Sequence, residues 1–184
     1  MGANIPQYGL SFFLPQIVKA FGMSNFQTGL VAALPYVVGL VGIVLWGRRS
    51  DRKVERRFHT AFPLCVAAGG IGISTALNDP TMKMVALSIA GFGIFGCLPV
   101  FWTLPTAFLS GPAAAGGIAI INSIGNLAGF AGPYAMGRIK DLTGSYAGGL
   151  LSLSAAGFLA AIIVIALGHD HSLERVPAAA PPVE

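Results

Sequence analysis

The 184-residue chain is 54% hydrophobic and only 10% charged, with a mean hydropathy of +0.74. A soluble domain carries about 25% charged residues, so lipid has to be the solvent for most of these side chains. The net charge of +4 does not point to nucleic acid, because six of the eleven basic residues (Arg48, Arg49, Arg52, Lys53, Arg56, Arg57) share one short stretch between apolar segments with no folded polar domain around it.

Six helical segments are expected in chain order, at about 5–20, 28–47, 60–78, 83–105, 115–137 and 147–168. The first is short for a span and contains Pro15, as if the chain began part-way through a helix. No basic n-region follows Met1, so no signal peptide is read. Gly22 to Thr28 is expected as a polar turn and Gly47 to His59 as a basic loop. Asn78-Asp79-Pro80 disfavours helix continuation and predicts a compact turn. From Met84 to Gly137 there is no Asp, Glu, Lys, Arg or His. That is room for two spans of about 20 residues each, broken at Ser110-Gly111-Pro112. Arg138 to Tyr146 is expected as the last polar loop; after Gly168 the chain turns polar, and with the Pro/Ala-rich stretch Val176–Glu184 the residues 169–184 are expected as a disordered tail.

Basic residues set the orientation. With the 48–59 loop and Arg175 in the cytoplasm, seven basic residues lie inside. Lys19, Lys83, Arg138 and Lys140 lie at the other face. An echo then spans the membrane: Gly47-Arg48-Arg49-Ser50-Asp51 and Gly137-Arg138-Ile139-Lys140-Asp141 share the spacing G-R-x-x-D, three spans apart. Inverted repeats of three helices occur within each half of major-facilitator transporters.

No constellation for catalysis exists, since every acid and every histidine falls at a span end or in a loop. Cys65 and Cys97 sit in apolar runs and read as buried thiols, and neither metal spacing nor a cofactor motif is present. Asn122 and Asn126 are four apart and share a helix face. An amide inside a span needs a partner or a cavity, and two readings stay open for each: a substrate contact or an interhelical hydrogen bond. Trp102 reads as deep in the fourth span, where an indole offers a donor and a flat apolar wall. Tyr8, Tyr36 and Gln16 are further polar candidates, and the glycine-dense runs, Gly125-x-x-x-Gly129 above all, predict close helix packing.

The stretch Gly47–Arg57 resembles the signature loop of the major facilitator superfamily, G-x-x-x-D-R-x-G-R-R. Gly47, Asp51, Arg52, Arg56 and Arg57 fit the pattern, whereas Val54 and Glu55 depart from it. The resemblance implies that this loop latches conformational states; a purely topogenic basic loop is the alternative. Phe101–Gly111, Ala113–Gly117, Ile121–Leu127, Gly129-Phe130, Gly132-Pro133-Tyr134 and Thr143–Tyr146 are similar to the tenth to twelfth helices of the anion:cation symporters, which include tartrate, phthalate and sugar-acid permeases. The implied fold class is an all-α polytopic membrane protein, six transmembrane helices in a 3+3 inverted repeat that forms the C-terminal half of such a carrier. Implied too are a multi-pass place in the bacterial inner membrane and a small organic anion as substrate. The expected partners are the lipid bilayer and an N-terminal six-helix half or a second copy; no nucleic acid, cofactor or metal is expected. Asn122 and Trp102, then Asn126, Tyr36 and Tyr8, are the expected substrate-binding residues. A non-transporting assembly protein and a homodimeric six-helix carrier are the alternative readings.

Overall fold

The computed structural model describes residues 4–53, 55–108 and 111–166, apart from the side chains of 106–108 and 111–113. These residues form six helices: α1 (Asn4–Lys19), α2 (Asn25–Lys53), α3 (Arg57–Ala76), α4 (Pro80–Phe108), α5 (Gly111–Thr143) and α6 (Ala147–Ala166). Five of them, α2 to α6, are long and apolar enough to cross a membrane. The sixteen residues of α1 rise about 24 Å, short of a hydrocarbon core about 30 Å thick. The expected tail, with His169, His171 and Arg175, lies outside the described residues.

Local chemistry explains where the helices start and stop. Gly22 has φ 81° and Gly144 φ 70°, left-handed conformations that end α1 and α5 at little cost only because these residues lack a Cβ. Ser24 and Gln27 form a reciprocal capping box ahead of α2: the Gln27 amide donates to Ser24 Oγ (3.3 Å) and the Ser24 amide to Gln27 Oε1 (3.0 Å). Asp79 caps α4 by accepting the Met82 amide at 2.8 Å, with Pro80 as the first helical residue. Ser145 Oγ accepts the Ala147 amide at the start of α6.

The stretch expected as a basic loop is mostly helix. α2 continues through Lys53 and α3 begins at Arg57, because nothing between Gly47 and Lys53 breaks a helix and its Arg and Lys favour one. The polar segment after Gly137 behaves alike: α5 runs on to Thr143. Both helices outlast their apolar spans and carry charge beyond them.

Glycines set the helix contacts and reveal the helix directions. A Cβ on Gly91 would press on the Pro35 carbonyl, and one on Gly39 on the Phe95 ring; α2 and α4 therefore run parallel in direct backbone contact. On another face of α4, Gly93 lies against Pro63 and Ala67, and Ala86 and Ala90 lie against Gly70, so α3 runs antiparallel to α4. α3 also meets α6 antiparallel, where Ser154 Oγ donates to the buried Ala68 carbonyl at 2.7 Å and Gly157 lies on Ala68. Gly125 lies against Asn4, Gly129 against Tyr8 and Gly137 against Phe13, which makes α1 and α5 parallel. Successive helices thus alternate in direction. The turns at 20–24, 77–79 and 144–146 share one end of the bundle, and 55–56 lies at the other. The core between the helices holds Leu14, Val18, Ile71, Leu87, Met136 and Leu153. Outward, Phe26, Leu40, Ile73, Leu127 and Ile162 are each more than half exposed, an arrangement stable only where lipid covers them.

Candidate functional site

Two of the expected substrate residues meet. Tyr8 on α1 and Asn126 on α5 line an open groove of about 630 Å³ together with Phe12, Gly129, Phe130, Pro133 and Tyr134. Gly129 makes the contact possible: a side chain there would occupy the place of the Tyr8 ring. Asn126, Phe130 and Tyr134 follow at four-residue intervals and so form one stripe of α5, with the Phe130 and Tyr134 rings stacked 5.8 Å apart. The groove therefore offers two phenol hydroxyls and one amide on an aromatic floor, and no charge. Tyr134 and Phe130 stood in the sequence only as part of a family motif; a stripe at i, i+4, i+8 was the signal that placed them beside Asn126.

Asn122 lies one turn from Asn126 on the same exposed face of α5. Neither amide makes a side-chain hydrogen bond among the described residues. Asn4, at the start of α1, adds an amide that sequence reasoning passed over, lying against Gly125 between those two positions.

The remaining expected residues lie apart from the groove. Tyr36 on α2 packs its ring 5.7 Å from Phe95, beside Gln7 and Ser11 at a void of about 10 Å³, room for one water at most. Trp102 is half-buried towards the C-terminal end of α4, edge-on to Phe101 at 5.4 Å. Gln16 is committed elsewhere: its Oε1 accepts the Tyr146 hydroxyl at 3.1 Å where α1 meets the α5–α6 turn.

The α2–α3 junction is a second constellation. Arg56 Nη1 donates to Asp51 Oδ1 at 2.6 Å and to Ser50 Oγ at 3.0 Å, while Ser50 donates to the Glu55 carbonyl. Gly47 lies against Pro99 of α4. Of the expected latch residues the fold thus joins Asp51 and Arg56; among the described residues Arg52 and Arg57 pair with no carboxylate. Glu55, the departure from the family pattern, has a task of its own. Its carboxylate accepts the Phe58 amide (2.6 Å), the His59 amide (3.1 Å) and His59 Nδ1 (2.6 Å). Burial alone would raise the Glu55 pKa, but the His59 ring and the two amides hold it below the ordinary 4.5. His59 is 7% exposed and its Nε2 has no partner among the described residues; its carbonyl accepts the Trp46 indole N–H at 2.7 Å, with the two rings 5.2 Å apart. Cys97 is buried and Cys65 half-buried, both free. Among the described residues no group of three or more His, Cys, Asp or Glu could hold a metal ion.

Comparison with known proteins agrees with this architecture. Residues 1–133 match the Major Facilitator Superfamily. An Agrobacterium vitis protein whose name assigns it provisionally to tartrate transport is 43% identical over 169 residues, 92% of this chain and 38% of that protein. The quinolone resistance transporter of Acinetobacter baumannii is 43% identical over 148 residues, 80% of this chain and 34% of its own length. The inner membrane transport protein RhmT of Escherichia coli K12 is 39% identical over 178 residues, 96% of this chain and 41% of its own. The chain thus spans between about a third and two fifths of the length of these relatives. Six helices with lipid-facing apolar surfaces and a family match over most of the chain lead to one conclusion: this is a multi-pass membrane protein that belongs to the Major Facilitator Superfamily.

Proposed function

We propose that the chain is one six-helix half of a secondary transporter that moves a small organic anion, a carboxylate or sugar acid, by alternating access. The observation that carries this is the α1–α5 groove, with Tyr8, Asn126 and Tyr134 exposed on the face of the bundle that a second half would cover. Asn122 extends the same face, and Trp102 and Tyr36 stand as further contacts from α4 and α2. Neutral amides and phenols suit the hydroxyl and carboxylate oxygens of such a substrate. The names of relatives that handle tartrate and galactonate support the substrate class.

A 3+3 inverted repeat is part of the proposal. Exchanging α1–α3 with α4–α6 maps the parallel α2–α4 pair onto the parallel α5–α1 pair, and both pairs pack extensively. It also maps the G-R-x-x-D at the end of α2 onto its echo at the end of α5, at opposite ends of the bundle. Every charged group of the described helices lies near a helix end. Proton or ion coupling and the neutralisation of the anion therefore fall to the other half.

The test joins this chain to the first six helices of RhmT and measures uptake of radiolabelled sugar acids and tartrate in cells lacking the native carriers. Uptake is expected, and Asn122→Ala or Asn126→Ala should weaken apparent affinity about tenfold, as for loss of one hydrogen bond to a charged group. A fusion that inserts, folds and transports none of these acids would overturn the proposal. Unchanged affinity in both variants would return the two asparagines to a packing role.

A further inference from the structure

We propose that the α2–α3 end of the bundle binds the phosphodiester headgroup of an anionic phospholipid. The inference rests on membrane residence and not on what is transported. Six cations crowd this end, yet among the described residues only Arg56 has a carboxylate partner, Asp51; the other described acid nearby, Glu55, is used up by the α3 amides and His59. Arg48, Arg49, Arg52 and Lys53 are exposed along the last turns of α2, with Arg49 and Lys53 one turn apart, and Arg48 and Arg52 likewise. Arg57, the first residue of α3, has its Nε buried without a hydrogen-bond partner among the described residues. A guanidinium N–H withdrawn from water and left unbonded is costly, and an anionic oxygen would satisfy it.

The surface beside these cations fits acyl chains. Val41 and Leu45 on α2, and Phe58 and Phe62 on α3, are exposed where each helix enters its apolar span. Trp46 joins the two helices, stacked on Phe62 at 5.2 Å and lying 5.9 Å beneath the Arg49 guanidinium. Cations above an apolar wall, at one membrane level, match an amphiphile with a negative head. A zwitterionic headgroup brings its own cation into a site that already holds too many. At the opposite end the basic residues are spread over three helices, and two are engaged internally: Lys19 with Met23 and Asn25, Lys140 over the Tyr146 ring.

The site contains its own reporter. In a Trp102→Phe background Trp46 is the sole tryptophan, and bromine-labelled acyl chains quench it on contact. The full chain is reconstituted in phosphatidylcholine vesicles carrying equal mole fractions of either brominated phosphatidylglycerol or brominated phosphatidylcholine. The brominated phosphatidylglycerol should quench Trp46 more strongly, by roughly fivefold in relative affinity for each contributing cation. High salt should erode that preference. R49Q/K53Q/R57Q should abolish it and K83Q/R138Q should retain it, with helicity checked by circular dichroism. Equal quenching by the two lipids, or a preference that survives the triple substitution, overturns the proposal. If the triple variant misfolds, the unmodified site decides: a preference indifferent to salt overturns it, one that falls with salt supports it. Inorganic phosphate should not relieve the quenching; relief would mark a site for free phosphate and overturn the lipid assignment.

Discussion

Removing the Glu55 carboxylate tests whether the departure from the family pattern holds the start of α3 in place. The first amides of a helix have no partner within it. Arg56, at the cap position, supplies no side-chain bond to these amides, and Glu55 reaches forward to two of them instead. Losing a side-chain cap costs about 1 kcal/mol, and losing a hydrogen bond to a charged group about 1.5–3 kcal/mol. The Glu55 side chain is 24% exposed, so water recovers part of this, and a net loss of about 2 kcal/mol is expected for Glu55→Ala. Glu55→Gln keeps an acceptor oxygen for the amides but surrenders the charge, and should lose about half as much. In Glu55→Ala both ring nitrogens of buried His59 are left without a partner among the described residues, because Nε2 has none there already.

The pH dependence has a definite sign. The Glu55 pKa is held down in the folded chain, so the carboxylate's contribution is complete above about 4.5 and disappears as pH falls through the lowered folded value. Wild type and Glu55→Gln should therefore differ in stability near neutrality and converge in acid. Thermal unfolding in detergent, followed by circular dichroism and by Trp46 emission in a Trp102→Phe background, measures both effects. A Glu55→Ala chain within about 0.5 kcal/mol of wild type, as for an ordinary surface change, or a gap that does not close in acid, would refute the reasoning.

Three further outcomes follow from the same structure. Gly91→Val drives a side chain into the Pro35 carbonyl and should destabilise the bundle by about 1–3 kcal/mol or more, whereas Gly29→Ala, with nothing within 4 Å of its Cβ, should be near neutral; melting curves of the two compare them. In a Cys65/Cys97-free chain, cysteine at Lys53 should be shielded from an impermeant thiol reagent applied outside cells and cysteine at Asp79 should label, and the reverse pattern would invert the topology. The chain alone, reconstituted in liposomes under an inward proton gradient, should accumulate no organic acid, because the described spans carry no titratable carboxylate or cation mid-membrane; gradient-driven uptake would disprove this.

How much of this was legible in the sequence depends on the kind of signal each feature left. The spans could be read because charge is so expensive in lipid that it retreats to helix ends. The same rule misled at 47–53, where polarity was taken for a loop: leaving the membrane ends the apolar pattern but not the helix, and no breaker stands before Val54. Turn chemistry was plainer, since Asp79-Pro80 and Gly144-Ser145 each combine a stop with a cap. The Glu55–His59 pair escaped notice because Glu55 was judged against a motif it does not fit and His59 only as a residue at a span end, although a carboxylate just before a helix and a histidine one turn on is itself a capping signal.

The candidate site turned on helix rotation, which polarity alone does not report. Trp102 and Tyr36 were grouped with Asn126 because all are polar residues within apolar spans, yet they stand on different helices and away from the groove. The glycines carried the missing information. Gly125, Gly129 and Gly132 mark the face of α5 that touches α1, and buried Ala128 and Met136 extend it. With that face fixed, Asn126, Phe130 and Tyr134, each one residue on from a glycine or its helical equivalent, turn about 100° away from it, to the rim where Tyr8 and Phe12 also emerge. A small-residue stripe therefore does more than allow close approach: it sets the angular origin from which the exposed polar face can be counted. Asn122 then falls on the same rim, because it lies four residues before Asn126. The groove and the proposed substrate face are thus continuous along α5, and a substitution on its glycine stripe should alter Tyr8 before it alters either asparagine.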